Sequence, residues 1–146
     1  TTTELEARHE VLLENYVKIV NIEALTMLDM AHKDILPAMS AYSKELADAA
    51  LDKKKLSEEI DTTYETETVK ALGNLLGNTY SNVKKLEADL YTAKSITSSV
   101  ELADYYKDFI LADMSALRAS ADEMETMASS EKWPYPSYGD LLFGVR

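Results

Sequence analysis

Only one proline, Pro37, interrupts the first 132 residues of this 146-residue chain; the other two, Pro134 and Pro136, lie in its last stretch. Glycine is as sparse, at 73, 77, 139 and 144. These two residue types end helices and make tight turns, so a chain this poor in them is free to run in long helices. β-branched residues never alternate with polar ones over a useful run, which removes the strand signal. Apolar residues recur instead at helical spacing. The expected fold is all-α: an antiparallel up-down helical bundle of three long helices, or four if Pro37 breaks the first, with an extended aromatic and proline-rich C-terminal tail docked on it.

Residues 1–146 read as a single helical domain. The first helix spans about 3–36, with apolar positions at Leu5, Leu12, Leu13, Tyr16, Val20, Leu28, Ala31 and Ile35. Between Tyr16 and Ala31 the apolar residues cover almost the whole circumference. A helix touching one neighbour needs a stripe only a little over 100° wide, so this section is expected to be surrounded, or to lack a partner in the chain alone. Pro37 has no N–H for the carbonyl of Lys33 and clashes with it, predicting a kink there and a resumed helix over about 38–55.

"SEEIDTT" (57–63) is the first loop, and Thr62 with Glu65 forms a capping box for the second helix, about 63–94. That helix carries the row Val69, Leu72, Leu76, Thr79, Val83, Leu86, Leu90, Ala93, at spacings of three and four. Gly73 and Gly77 within it suggest close helix approach. "SITSS" (95–99) is the second loop, with Ser98 and Glu101 repeating the capping box. The third helix, about 99–129, turns Leu102, Tyr106, Ile110, Leu117, Ala121 and Met124 inward. Tyr16, Tyr42, Tyr80 and Tyr106 lie on apolar faces and are expected in the core with the hydroxyl at the rim.

Composition excludes several function classes. Net charge is −11, from 26 acidic against 15 basic residues. Nucleic-acid binding usually leaves a basic footprint, so no nucleic-acid partner is expected. The longest nearly apolar stretch, "YVKIVNIEALTML", contains Lys18, Asn21 and Glu23 and fails as a membrane span. There is no cysteine, which removes disulfides and thiolate metal sites and fits a cytoplasmic location. Residue 1 is Thr rather than Met, pointing to a fragment of a larger chain.

Catalytic motifs were sought in the residues and fail. A di-iron carboxylate site needs Glu-x-x-His motifs from two helices. Glu6–His9 and Asp29–His32 both lie on the first helix, 23 residues apart, which is roughly 35 Å. No Ser occupies a strand–turn–helix elbow, and "LGNLLGN" (72–78) lacks the Lys-Ser/Thr of a phosphate loop. The residues therefore offer no catalytic, cofactor-binding or metal-binding site in this chain.

Taken together, "LLENYVKIVNIEALTMLDM" (12–30), "ILPA" (35–38), "KELAD" (44–48), "ELADYY" (101–106) and "WPYPSYGDLLF" (133–143) resemble the C-terminal region of type III glutamine synthetases. The resemblance runs in order over nearly the whole chain and is firmest in "NIEALTM" and "WPYPSYGDLLF". It implies a parent enzyme, a glutamate–ammonia ligase, that joins ammonia to glutamate with ATP through a γ-glutamyl phosphate. ATP and a divalent metal, Mg or Mn, would belong to a β-rich catalytic domain whose motifs are absent here. The implied role is structural: assembly inside a ring-shaped homo-oligomer, with the parent's own catalytic domain and neighbouring subunits as partners. A regulatory or adaptor bundle that receives a partner protein or effector is the alternative. An independent enzyme is disfavoured by the failed motif search. Ile19, Ile22 and Met27 on the over-wide apolar arc are the interface candidates.

The tail "WPYPSYGDLLFGVR" is too rich in large apolar groups for a disordered end. Trp133, Tyr135, Tyr138, Leu141, Leu142 and Phe143 are expected to fold back over the helices, with a peptide motif for an outside partner as the alternative.

Overall fold

The computed structural model describes residues 1–136. Among them there is no strand, and three helical stretches are separated by loops at 57–62 and 94–98. The first stretch comprises α1 (Thr2–Met30), a π-helical turn (Ala31–Ile35) and α2 (Leu36–Leu56). The second is α3 (Thr63–Ala93). The third comprises α4 (Ser99–Tyr105), a second π turn (Tyr106–Ile110) and α5 (Leu111–Met127).

The irregularity expected at Pro37 lies just before it. Pro37 is the second residue of α2 and supplies no N–H to the turn before it. The preceding turn widens to the i→i+5 pairing of a π helix, and Ile35 keeps helical angles, φ −71° and ψ −55°. The backbone thus stays helical through the proline.

The loops close by side-chain-to-backbone bonds. Ser98 Oγ accepts from the Glu101 N–H at 3.3 Å and caps α4, as the Ser98–Glu101 spacing predicts. At α3 the cap differs from the Thr62–Glu65 expectation. Asp61 Oδ1 accepts from the Thr63 N–H at 2.9 Å and from its hydroxyl, an Asx turn. Those bonds hold the Asp61 carboxyl below the usual carboxylate range. Glu65 is turned instead to Lys53 Nζ on α2, 2.5 Å away.

The chain divides into two compact units, with boundaries between α1 and the first π turn, inside α3 and inside α5. One consists of Thr1–Met30 and Ser81–Arg118. In it, α1 packs on α4 and the second π turn, burying Val20, Ala24 and Leu28 at a spacing of four. Val83, Leu86, Leu90, Tyr106, Ile110 and Leu117 are also buried there. The Tyr106 hydroxyl, its pKa raised by burial, donates to Asn21 Oδ1 at 3.1 Å. The other unit consists of Ala31–Tyr80 and the segment from Ala119 onward. Its core joins Ile35, Met39, Tyr42, Leu72, Leu75, Ala121 and Met124. Each fully buried side chain of this size contributes about 1.5–3 kcal/mol relative to exposure.

Gly73 and Gly77 do not serve close helix approach. Both are exposed, and a Cβ at either would meet nothing within 4 Å. Glycine in a helix interior costs about 0.5–1 kcal/mol against alanine. Gly73→Ala and Gly77→Ala should each raise the melting temperature by about 2–4 °C; a lower melt for either would mean that the glycine meets a neighbour after all. Tyr80 likewise departs from the core role expected of it and is 49% exposed.

Candidate functional site

Because α1 is apolar nearly all round, burying one side leaves another side apolar and exposed. Val20, Ala24 and Leu28 mark the buried side. Leu5, Val11, Leu12, Ile19, Ile22 and Leu25 are each more than half exposed. At 3.6 residues per turn these six fall within an arc of roughly 160° centred opposite the buried row, along roughly 30 Å of helix. Polar interruptions on the arc are Arg8, Asn15, Lys18, Glu23 and Thr26, and the Thr26 hydroxyl is turned back to the Ile22 carbonyl at 2.9 Å. Exposed apolar side chains gathered on one face point to an interaction site, whereas single exposed leucines do not.

In the same unit, residues of α1, α3, the 94–98 loop and α4 line a groove of about 680 Å³. Its walls include Leu13, Val17, Leu90, Ile96 and Leu102, and Asn21 and Tyr106 supply polar groups. Lys18 and Lys94 are balanced there by Glu14 and Glu87, so the lining favours neither sign of ligand.

The described residues are sparse in the groupings that hold metal ions. They contain no group of three or more His, Cys, Asp or Glu side chains able to hold a metal ion, and His9 and His32 are exposed. No helix among them is long and apolar enough to cross a membrane.

The interface candidates separate in the structure. Ile19 and Ile22 share the exposed arc, 57% and 56% exposed, while Met27 is half-buried and lies on a different side of the helix. Leu5, Val11, Leu12 and Leu25 join the face without having been singled out. Their signal was available, since 5, 12 and 19 are a heptad series, but a helix apolar on all sides does not announce which side is covered. In the tail, Trp133 and Tyr135 pack against the core of their own unit, ring centroids 6.5 Å apart and edge to face. The Tyr135 hydroxyl donates to Asp34 Oδ2 at 2.7 Å. Tyr138, Leu141, Leu142 and Phe143 lie outside the described residues.

One polar cluster has no counterpart in the sequence reading. Lys85 Nζ on α3 lies 2.8 Å from Asp89 Oδ2 and 3.2 Å from Asp113 Oδ1 on α5. Asp113 is buried, and 24 residues of chain separate the two aspartates.

Comparison with known proteins places this geometry. A family model described as the glutamine synthetase C-terminal domain matches residues 1–54, the segment that holds the exposed face. Over all 146 residues the chain is 37% identical to a glutamine synthetase of Butyrivibrio fibrisolvens, covering 21% of that protein. The chain belongs to the C-terminal region of the glutamine synthetase family. A type-3 glutamine synthetase of Dictyostelium discoideum is 28% identical across 96% of this chain and 20% of its own length. A glutamine synthetase of Bacteroides fragilis is also 28% identical, across 97% of this chain and 20% of its own length. The chain thus spans about a fifth of the length of the curated glutamine synthetases it matches.

Proposed function

We propose that this chain is a non-catalytic structural and assembly module of a glutamine synthetase. The remainder of that parent enzyme makes glutamine from glutamate, ammonia and ATP with a divalent metal, Mg or Mn, in the cytoplasm. The module's partners are the parent's catalytic domain and neighbouring subunits of a homo-oligomer. The observation that carries this reading is the exposed apolar arc of α1, about 30 Å long, in a chain whose relatives are some five times longer. Burial of such an arc against the rest of the parent accounts for hydrophobic residues that the described helices leave in water.

The test is a pair of charges placed on the arc of the full-length parent, Ile19→Asp with Ile22→Asp. Two large aliphatic side chains contribute about 1.5–3 kcal/mol each when buried, so assembly measured by light scattering should weaken by about 100-fold or more. The isolated chain should melt as before, because both positions are exposed in it. Unchanged assembly would remove the arc from the interface and this reading with it. The groove beside Asn21 and Tyr106 favours a second reading, a regulatory bundle that receives an effector or partner. That reading predicts intact assembly with an altered response of glutamine formation to effectors.

A further inference from the structure

Two buried-side carboxyl groups and one lysine tie α3 to α5 in a way that ordinary ionisation does not satisfy. Lys85 Nζ reaches both Asp89 Oδ2, at 2.8 Å, and Asp113 Oδ1, at 3.2 Å. Asp113 is only 6% exposed, and its second oxygen, Oδ2, is buried with no hydrogen-bond donor. Asp89 Oδ2 and Asp113 Oδ1 flank the same Nζ, so those two oxygens lie no more than 6.0 Å apart. Two carboxylates at that separation repel, and a single ammonium offsets only one of them. A proton on Asp113 answers both faults, because it removes one of the two negative charges beside Lys85 and gives the buried carboxyl a hydrogen to donate.

We propose that Lys85, Asp89 and Asp113 form a proton-operated tie between α3 and α5, closed when the carboxyl pair holds one proton and loosened when that proton leaves. Closed, the three groups sum to zero charge: ammonium, carboxylate and neutral carboxyl. Loss of the proton to solvent leaves a net negative charge beside the buried Asp113, with Lys85 itself 61% exposed. The inference concerns the domain's own stability and stands independently of the assembly role proposed above.

The direction of titration agrees with the geometry. Burial, then the hydrogen bond with Asp89, pushes Asp113 up to about 6, while the hydrogen bond with Asp113 holds Asp89 below the usual range. The groups acting on Asp113 are Lys85 and Asp89 of α3, and Tyr105 of α4 faces the same cluster. The Tyr105 hydroxyl, raised by burial and by Asp89, stays neutral throughout. α1 packs on α4 and contributes none of these groups. A folded-state pKa above the unfolded one means that the contribution is complete at acidic pH. It is lost as pH rises through about 6.

Thermal melts of the 146-residue chain and of Asp113→Asn, from pH 5 to pH 8, test the tie. Asparagine keeps an oxygen for Lys85 and an N–H for Asp89 without a titrating proton. The melting temperature of the variant relative to the wild type should rise by roughly 3–6 °C between pH 5 and pH 7.5. A difference that does not change across this pH range would overturn the proposal. If the variant does not fold, carbon-13 NMR of the wild-type carboxyl groups decides. An Asp113 midpoint near 6 supports the tie, and one in the ordinary carboxylate range removes it.

Discussion

Shortening Leu72 to alanine should cost the chain about 3 kcal/mol, within the range of about 2–5 kcal/mol found for fully enclosed leucines. Leu72 has no exposed surface and sits among Ile35, Met39, Tyr42, Leu75, Ala121 and Met124. The loss has two parts: the hydrophobic transfer of the removed carbons and the cavity left where neighbours relax only partly. In a thermal melt the midpoint should fall by roughly 10 °C. Leu51→Ala, at a position 63% exposed on α2, is the matched control and should stay within about 0.5 kcal/mol of the wild type. If Leu72→Ala behaved like the control, the core described around it would not exist in solution.

Removing Trp133 and Tyr135 of the tail together should have the next largest effect. Trp133 and Tyr135 pack against the same core from its edge, and both are half-buried rather than enclosed. The segment is also pinned by polar contacts. The Trp133 N–H donates to the Ser129 carbonyl at 3.0 Å, Lys132 Nζ lies 3.1 Å from Glu45 Oε1, and Tyr135 donates to Asp34. A fully buried Trp→Ala change costs about 3–5 kcal/mol. Half-burial scales this down, and the double variant Trp133→Ala, Tyr135→Ala should lose about 2–3 kcal/mol, several degrees of melting temperature. Tyr135→Phe separates the hydroxyl from the ring and should cost about 1 kcal/mol or less. An unchanged melt for the double variant would mean that the tail rests on the helices without stabilising them.

What could be read from the sequence follows from how local its cause is. The helical class, the row from Leu72 to Ala93 on α3 and the inward face from Tyr106 to Met124 rest on periodicity, which is written within a few turns of chain. The Ser98 cap rests on a spacing of three. Asp61 is equally local, an aspartate two residues before the bonded N–H, but the adjacent Thr62–Glu65 pair carries a competing capping pattern. The π turns were not legible, because a widened turn changes pairing without changing composition. The exposed face was legible only as a surplus. Apolar residues on every side of α1 said that something must cover them, but not which six would remain uncovered. In the Lys85–Asp89–Asp113 cluster the i,i+4 pair Lys85–Asp89 is local, but Asp113 comes from another helix and no spacing predicts its arrival.

The arc on α1 also bears on how the chain behaves as a colloid. Copies that each present 30 Å of leucine, isoleucine and valine would adhere if nothing held them apart, and here the opposing force is like charge, −11 near neutrality. That repulsion weakens as the medium approaches the isoelectric point, near pH 4.6, or as added salt shortens its range. Acid and high ionic strength therefore act on the same surface that is proposed to hold the parent together, and in its absence they turn a docking face into a self-adhesive one.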